Sequence, residues 1–257
     1  MTKIIAGNWK MNGSKALLNQ WFEDFFNNAI QYEKENGKQL PNILICVPSI
    51  YVEYAKTLAD KYNTKTKQIK VFIGCQDVHQ EDTGAFTGNT SALFLNDFDL
   101  KYTIVGHSER RMYEGETDEL VCKKANNAIK HNIAPIICCG ESLEIREKQQ
   151  YLPFIENSLL KSINGLDVNK IIIAYEPVWA IGTGKVPTPD EIEEVCKYIK
   201  NTVQKHYNVK DVCVLYGGSV KSSNVNNITK LQSVDGVLVG GASLKGEEFF
   251  NIARNSL

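Results

Sequence analysis

No apolar run in this chain approaches the roughly 18 residues that a membrane-crossing helix needs, which argues against a spanning protein. An excess of one charge is missing too: 29 Lys and Arg stand against 30 Asp and Glu, a formal net charge of −1. Such a balance provides no global field to draw the chain to nucleic acid or to an anionic membrane. The 7 cysteines lack metal-ligand spacing, since Cys138 and Cys139 are adjacent and the others scattered. Most of them (Cys46, Cys75, Cys138, Cys139, Cys213) fall in apolar runs, where a reduced thiol packs as a small hydrophobe. Their odd number and burial suggest a reducing compartment, so the expected location is cytoplasmic. A secretory signal is not expected either, because Asn8 and Lys10 interrupt the apolar start. Without a linker, a low-complexity tract or a break in composition, residues 1–257 are expected to form one domain.

What the chain does have is repetition. Eight short apolar runs occupy residues 4–6, 43–47, 71–75, 102–105, 133–139, 171–175, 212–216 and 234–239. They are continuous rather than alternating, as parallel strands covered by helices should be. Between them lie helical stripes, most clearly Leu17, Leu18, Trp21, Phe22, Phe25, Phe26, Ala29 and Ile30. Weaker stripes follow over 51–62 and 192–203. Eight strand–helix units predict an α/β fold, a closed (β/α)8 barrel with eight parallel strands. The polar stretches 33–38 and 64–68 read as solvated loops.

Residues able to do chemistry stand just after those runs. Asn8 with Lys10, Gln76, His107 with Glu109, Glu141, Glu176, Ser219, and Gly240 with Gly241 each follow a different one. In a parallel barrel the C-terminal ends of the strands carry the chemistry. Unrelated structural residues would not gather on one face. Glu176 precedes Pro177 and a stretch with Gly182 and Gly184, which suits a general base beside a loop that closes. Taken singly, Glu176 is equally a structural carboxylate and Lys10 a solvated lysine. His107 precedes Ser108, which could cap a short helix; backbone N–H groups facing the imidazole would keep the ring neutral. Backbone N–H groups of Ser219, Gly240 and Gly241 could cradle a phosphate, with glycine permitting close approach.

Five segments carry a more specific signal: Gly7-Asn-Trp-Lys-Met-Asn12, Gly106-His-Ser-Glu-Arg-Arg111, Ala174-Tyr-Glu-Pro-Val-Trp-Ala-Ile181 with Gly182-Thr-Gly-Lys185, Tyr216-Gly-Gly-Ser-Val220 and Val239-Gly-Gly-Ala-Ser-Leu244. In order and spacing they resemble the triosephosphate isomerase family over about residues 3–255. The resemblance implies interconversion of dihydroxyacetone phosphate and D-glyceraldehyde 3-phosphate through an enediol(ate), in glycolysis and gluconeogenesis. It implies Glu176 as base, His107 as the proton shuttle at the carbonyl, and Lys10 as the electrostatic and substrate-binding cation beside Asn8. Gly182, Ser219, Gly240 and Gly241 would hold the phosphate, and Leu238 with Ile181 would clamp the base. A small phosphorylated triose is the implied ligand, with no cofactor, metal, nucleic acid or membrane. A homodimer is implied as well, through the loop around Thr87. On the residues alone, another phosphate-binding barrel enzyme or a non-catalytic phosphate-ligand binding protein on this fold stays open.

Three positions depart from the family pattern: Asn89 in place of Glu, Asp77 in place of Asn, and Pro187 in place of a small residue at the lid's far hinge. With Asn89 uncharged, Arg110 is expected to pair within its own chain, with Glu116. Thr188-Pro-Asp-Glu191 fits a capping box and predicts a helix starting at 188–189.

Overall fold

The computed structural model describes residues 2–37, 39–181 and 185–257. Eight parallel strands close into a barrel in chain order: β1 (Ile4–Asn8), β2 (Asn42–Val47), β3 (Val71–Cys75), β4 (Tyr102–Val105), β5 (Ala134–Cys139), β6 (Ile172–Tyr175), β7 (Cys213–Tyr216) and β8 (Gly236–Val239). Pairing of β1 with β8, from Ile4↔Gly236 to Gly7↔Val239, seals the ring. All eight expected runs are strands. Four begin one or two residues later than hydrophobicity suggests, because Ile133, Ile171, Val212 and Val234 are buried on the approach to a strand without joining it.

Successive strand residues face opposite ways. Ala6, Leu44, Cys46, Ile104, Ile136, Cys138, Ile172, Ala174, Leu215 and Leu238 fill the barrel interior. Their neighbours Ile5, Ile43, Ile45, Ile137, Ile173 and Val237 pack outward in the larger core under the helices. Those helices are α1 (Lys15–Asn36), α2 (Val52–Asn63), α3 (Ala92–Asp97), α4 (Ser108–Tyr113), α5 (Asp118–Lys130), α6 (Leu143–Glu147), α7 (Tyr151–Ser162), α8 (Pro189–Tyr207), α9 (Val225–Thr229) and α10 (Gly246–Asn255). Among the described residues, none is long and apolar enough to cross a membrane. All seven cysteines are free thiols, six of them buried.

The first helix shows why the sequence folds this way. Ser14 caps it, its Oγ accepting from the Leu17 N–H at 3.0 Å. Its stripe buries Leu18, Trp21, Phe22, Phe25, Phe26 and Ala29. Trp21 stacks on Phe25 at 5.0 Å, and Phe25 meets Phe250 of α10 edge-on at 5.9 Å. Truncating such an aromatic to alanine typically costs about 3–5 kcal/mol.

One of the two loop expectations is corrected here; residue 38, at the end of the 33–38 stretch, lies outside the described residues. Residues 33–36 are the last turn of α1, which ends only where Gly37 takes the left-handed conformation at φ 59°. Glu33 is structural, its carboxylate accepting from the N–H groups of Lys67 and Gln68 at 3.0 and 2.7 Å. The 64–68 stretch is a solvated loop as expected, exposed at every residue but Thr66, whose hydroxyl donates to the Ile69 carbonyl.

Candidate active site

At the end of β1, Lys10 has φ 52°, a left-handed conformation unusual for a residue with a side chain. Its surroundings hold it there. The Lys10 N–H donates to Asn8 Oδ1 at 3.0 Å, and Gln76 Nε2 donates to the Lys10 carbonyl at 2.9 Å and to that of Cys46 at 3.0 Å. Asn8 and Gln76 thus aim the lysine, whose ammonium pairs with Glu109 across the barrel mouth.

His107 and Glu176 are buried and touch, with Nε2 2.9 Å from Glu176 Oε1. Glu176 Oε2 accepts from the Ser108 N–H at 3.0 Å, and its own amide donates to the Cys139 carbonyl at 2.8 Å. The turn is tight enough that a Cβ on Gly140 would lie 1.7 Å from the Glu176 carbonyl oxygen. His107 itself, not Ser108, is the N-cap of α4, its Nδ1 accepting from the Glu109 N–H at 3.2 Å. An amide aimed at Nδ1 leaves Nε2 as the donor to Glu176.

Electrostatics here differ from the sequence expectation at His107. Burial pushes the His107 pKa down, but Glu176, and Glu109 at 3.6 Å from Nδ1, outweigh it and lift it above its ordinary value. The backbone field alone had suggested a neutral ring; the nearby carboxylates oppose that. Burial likewise pushes Glu176 up, yet His107, the Ser108 N–H and Lys10 bring it below its ordinary value. In this resting geometry Glu176 is a stabilised carboxylate, and only leaving these donors would make it a stronger base.

A cavity of about 300 Å³ opens beside this pair. Asn8, Lys10, His107, Glu176, Ile181, Ser219, Leu238, Gly240 and Gly241 all line it, from the C-terminal ends of five of the eight strands. Gly182, expected as a phosphate donor, lies outside the described residues, as do Thr183 and Gly184. The wall also includes Gly217, Gly218, Lys221 and Ala242, which sequence reasoning did not single out. Lys221, two residues after Ser219, was the available signal for a second cation. The Ser219 hydroxyl is engaged with the Ala180 carbonyl at 3.1 Å, leaving its backbone N–H as the group to consider for a ligand.

Glu141 sits outside that cavity and holds the end of β6 and the residues just after it. It is fully buried, and Oε1 accepts from Trp179 Nε1 at 2.8 Å and the Tyr175 hydroxyl at 3.1 Å. Burial raises its pKa against those donors. Helix α8 opens with the expected capping box: the Thr188 N–H donates to Glu191 Oε2 at 2.8 Å, and Glu191 N–H returns a bond to Thr188 Oγ1 at 3.3 Å. Arg146 Nη2 donates to Glu191 at 3.0 Å. The Arg110 expectation also matches, since Nε pairs with Glu116 and Nη2 lies 3.1 Å from Asp77. Asp77 further binds buried Lys124 at 2.7 Å.

Comparison with known proteins accounts for this constellation. The family profile described as triosephosphate isomerase matches residues 3–256. A triosephosphate isomerase of Alkaliphilus oremlandii is 43% identical over 256 residues, covering 97% of each chain. That of Finegoldia magna is 40% identical over 253 residues, covering 96% of this chain and 95% of the relative. The crystal structure of triosephosphate isomerase from Bartonella henselae superposes with a TM-score of 0.85 at 32% identity, covering 99% of both chains. The chain belongs to the triosephosphate isomerase family.

Proposed function

We propose that Glu176, His107 and Lys10 carry out, in this chain, the family's isomerisation of dihydroxyacetone phosphate to D-glyceraldehyde 3-phosphate. The observation that carries the reading is the 2.9 Å contact between His107 and Glu176 in the wall of a cavity that Lys10 also enters. Glu176 takes a proton from the carbon next to the carbonyl and returns it to the neighbouring carbon. His107 Nε2–H donates to the substrate oxygens and relays their proton through an enediol(ate). Once the substrate draws Glu176 away, the main cause of the raised histidine pKa goes with it. Burial and the Glu109 amide on Nδ1 then favour the neutral ring. Lys10 stabilises negative charge developing on the oxygens. Backbone N–H groups at Ser219, Gly240 and Gly241 bind the phosphate, and Ile181 with Leu238 exclude water on closure.

The working unit we infer is a cytoplasmic homodimer of this one-domain chain. Met11 is 97% and Tyr113 75% exposed in the lone chain, flanking a cleft of about 380 Å³ that reaches Asn8, Lys10 and His107. The exposed loop around Thr87 suits that cleft in a second copy. A coupled assay of glyceraldehyde 3-phosphate formation tests the chemistry, and turnover surviving in Glu176→Gln refutes the base. Sedimentation at micromolar protein tests the dimer, and a monomer with full activity refutes it.

A further inference from the structure

We propose that Arg111 is a positioning residue, whose guanidinium sets the separation of His107 and Glu176 by tying together the two carbonyls next to their loops. The inference rests on the reading of those two residues as the proton-transfer pair.

Arg111 lies on α4, four residues after His107, and its amide N–H donates to the His107 carbonyl at 3.1 Å. Its side chain folds back under that turn. Nε donates to the Gly106 carbonyl at 2.8 Å, Nη2 to the Cys138 carbonyl at 3.0 Å and to Ser162 Oγ at 3.2 Å, and Nη1 to Asp118 at 2.6 Å. Gly106 leads directly into His107 at φ 66°, and a Cβ there would lie 2.6 Å from Val121 and 3.0 Å from Arg111 Nη2. Glycine makes room for the guanidinium but brings no side chain to fix its own peptide. The Arg111 bond to its carbonyl does that.

The second carbonyl explains the reach to Glu176. Successive carbonyls along a strand point to opposite neighbours. Cys139 O faces β6, where it accepts from the Glu176 N–H, so Cys138 O faces β4. But β4 has ended at Val105, which pairs with Ile137. Arg111 supplies a donor where the next strand amide would have been, and a buried carbonyl left without one is costly. The guanidinium therefore adds a rung beyond the end of β4, and the same group holds Gly106. A continuous path runs from His107 through Gly106 O, Arg111, Cys138 and Cys139 O to the Glu176 amide. The planar fork holds its donors in fixed directions toward both carbonyls; an ammonium on a flexible stem, with rotatable donors, does not fix their separation.

Arg111→Lys keeps the charge beside Asp118 and removes the fork, while Arg111→Ala removes both. A displacement of about 1 Å in such a pair can cost roughly 100-fold in rate, so kcat should fall by that order. KM, and affinity for inorganic phosphate at the β7–β8 side, should stay near wild type. Millimolar guanidinium should restore part of kcat to Arg111→Ala, and methylammonium should not. If the alanine variant fails to fold, the lysine variant carries the test, checked by its melting curve and by the NMR titration of His107, which should shift. A folded Arg111→Lys with wild-type kcat, or with kcat and phosphate affinity lost equally, overturns the proposal. Failure of the underlying reading looks different: Glu176→Gln would then stay active whatever happens at Arg111.

Discussion

The two sides of the barrel mouth are built by opposite means. On the β4–β6 side, His107 and Glu176 are locked by hydrogen bonds to each other, to Ser108 and to Cys139, and glycine serves to let the chain pack. On the β7–β8 side, Gly241 has open space: a Cβ there would meet nothing within 4 Å, and one on Gly240 would meet only Lys10 Cε at 3.6 Å. The buried pair leaves no room for added side-chain atoms, whereas Gly240 and Gly241 do, although Gly217 and Gly218 beside them are packed tightly. Stability and binding should therefore separate across the mouth, while catalysis depends on both.

The sharpest way to break this contrast is at the base. Glu176→Asp draws the carboxylate back by a methylene, and a misplacement of that size should cost about 100-fold in kcat. Substrate affinity, held from the other side, should change little. A variant that loses affinity and keeps turnover would reverse the assignment of the two sides.

The glycines give the next largest effect. Gly241→Val meets no backbone obstacle and no left-handed φ, so its melting temperature should stay near wild type. Its side chain enters the phosphate space, and losing one hydrogen bond to a charged group, about 1.5–3 kcal/mol, should raise KM roughly tenfold or more. Gly140→Ala should do the reverse. With its Cβ 1.7 Å from the Glu176 carbonyl oxygen, it should destabilise the fold before it alters affinity. Paired melting curves and Michaelis constants for both variants decide the matter.

This difference also explains what could be read from the sequence. All eight strands were legible because continuous apolar runs are the signature of a parallel barrel, and Glu176, His107 and Lys10 were legible as rare polar side chains at strand ends. Ser108 N–H and Cys139 O were not, because every residue carries such groups and only the fold selects which ones point at a carboxylate. The raised pKa of His107 was missed for the same reason: its cause, Glu176, lies 69 residues away in sequence. Arg111 was visible only as one of two adjacent arginines, yet one serves the Asp77–Glu116 cluster and the other the Gly106 and Cys138 carbonyls.

A smaller effect should appear in the pH dependence of stability. Glu176 is depressed in the fold, so its contribution is full above its ordinary pKa of about 4.3 and is lost as pH falls through the folded value. His107 is raised, so its contribution is full below about 6.5 and is lost as pH rises through its folded value. The stabilisation of wild type relative to Glu176→Gln should thus be largest between about pH 4.3 and 6.5 and decline on either side. Melting curves across pH test this; a difference that kept growing above neutrality would contradict the charged pair. On the β7–β8 side Gly241→Val should show no such window.

The smallest effect should lie in the expected lid, over about residues 177–186, which precedes α8 in the chain. Its far end is held twice: Thr188 and Glu191 close the capping box, and Pro187 just before it is buried. Proline fixes its own φ and keeps Val186 out of the helical region, so rotation on opening should fall at Lys185 and ψ of Val186. Gly184, the other expected pivot, lies outside the described residues. Pro187→Ala frees that φ and enlarges the unfolded ensemble, which should cost about 0.4–1 kcal/mol of stability. Because lid motion often limits turnover in such enzymes, relaxation dispersion on Lys185 and Val186 should report a changed opening rate while KM holds. Loosening the hinge leaves both the buried pair and the phosphate space intact, so a large change in KM, or a dihedral change concentrated at residue 187 between open and closed states, would show that the hinge lies elsewhere.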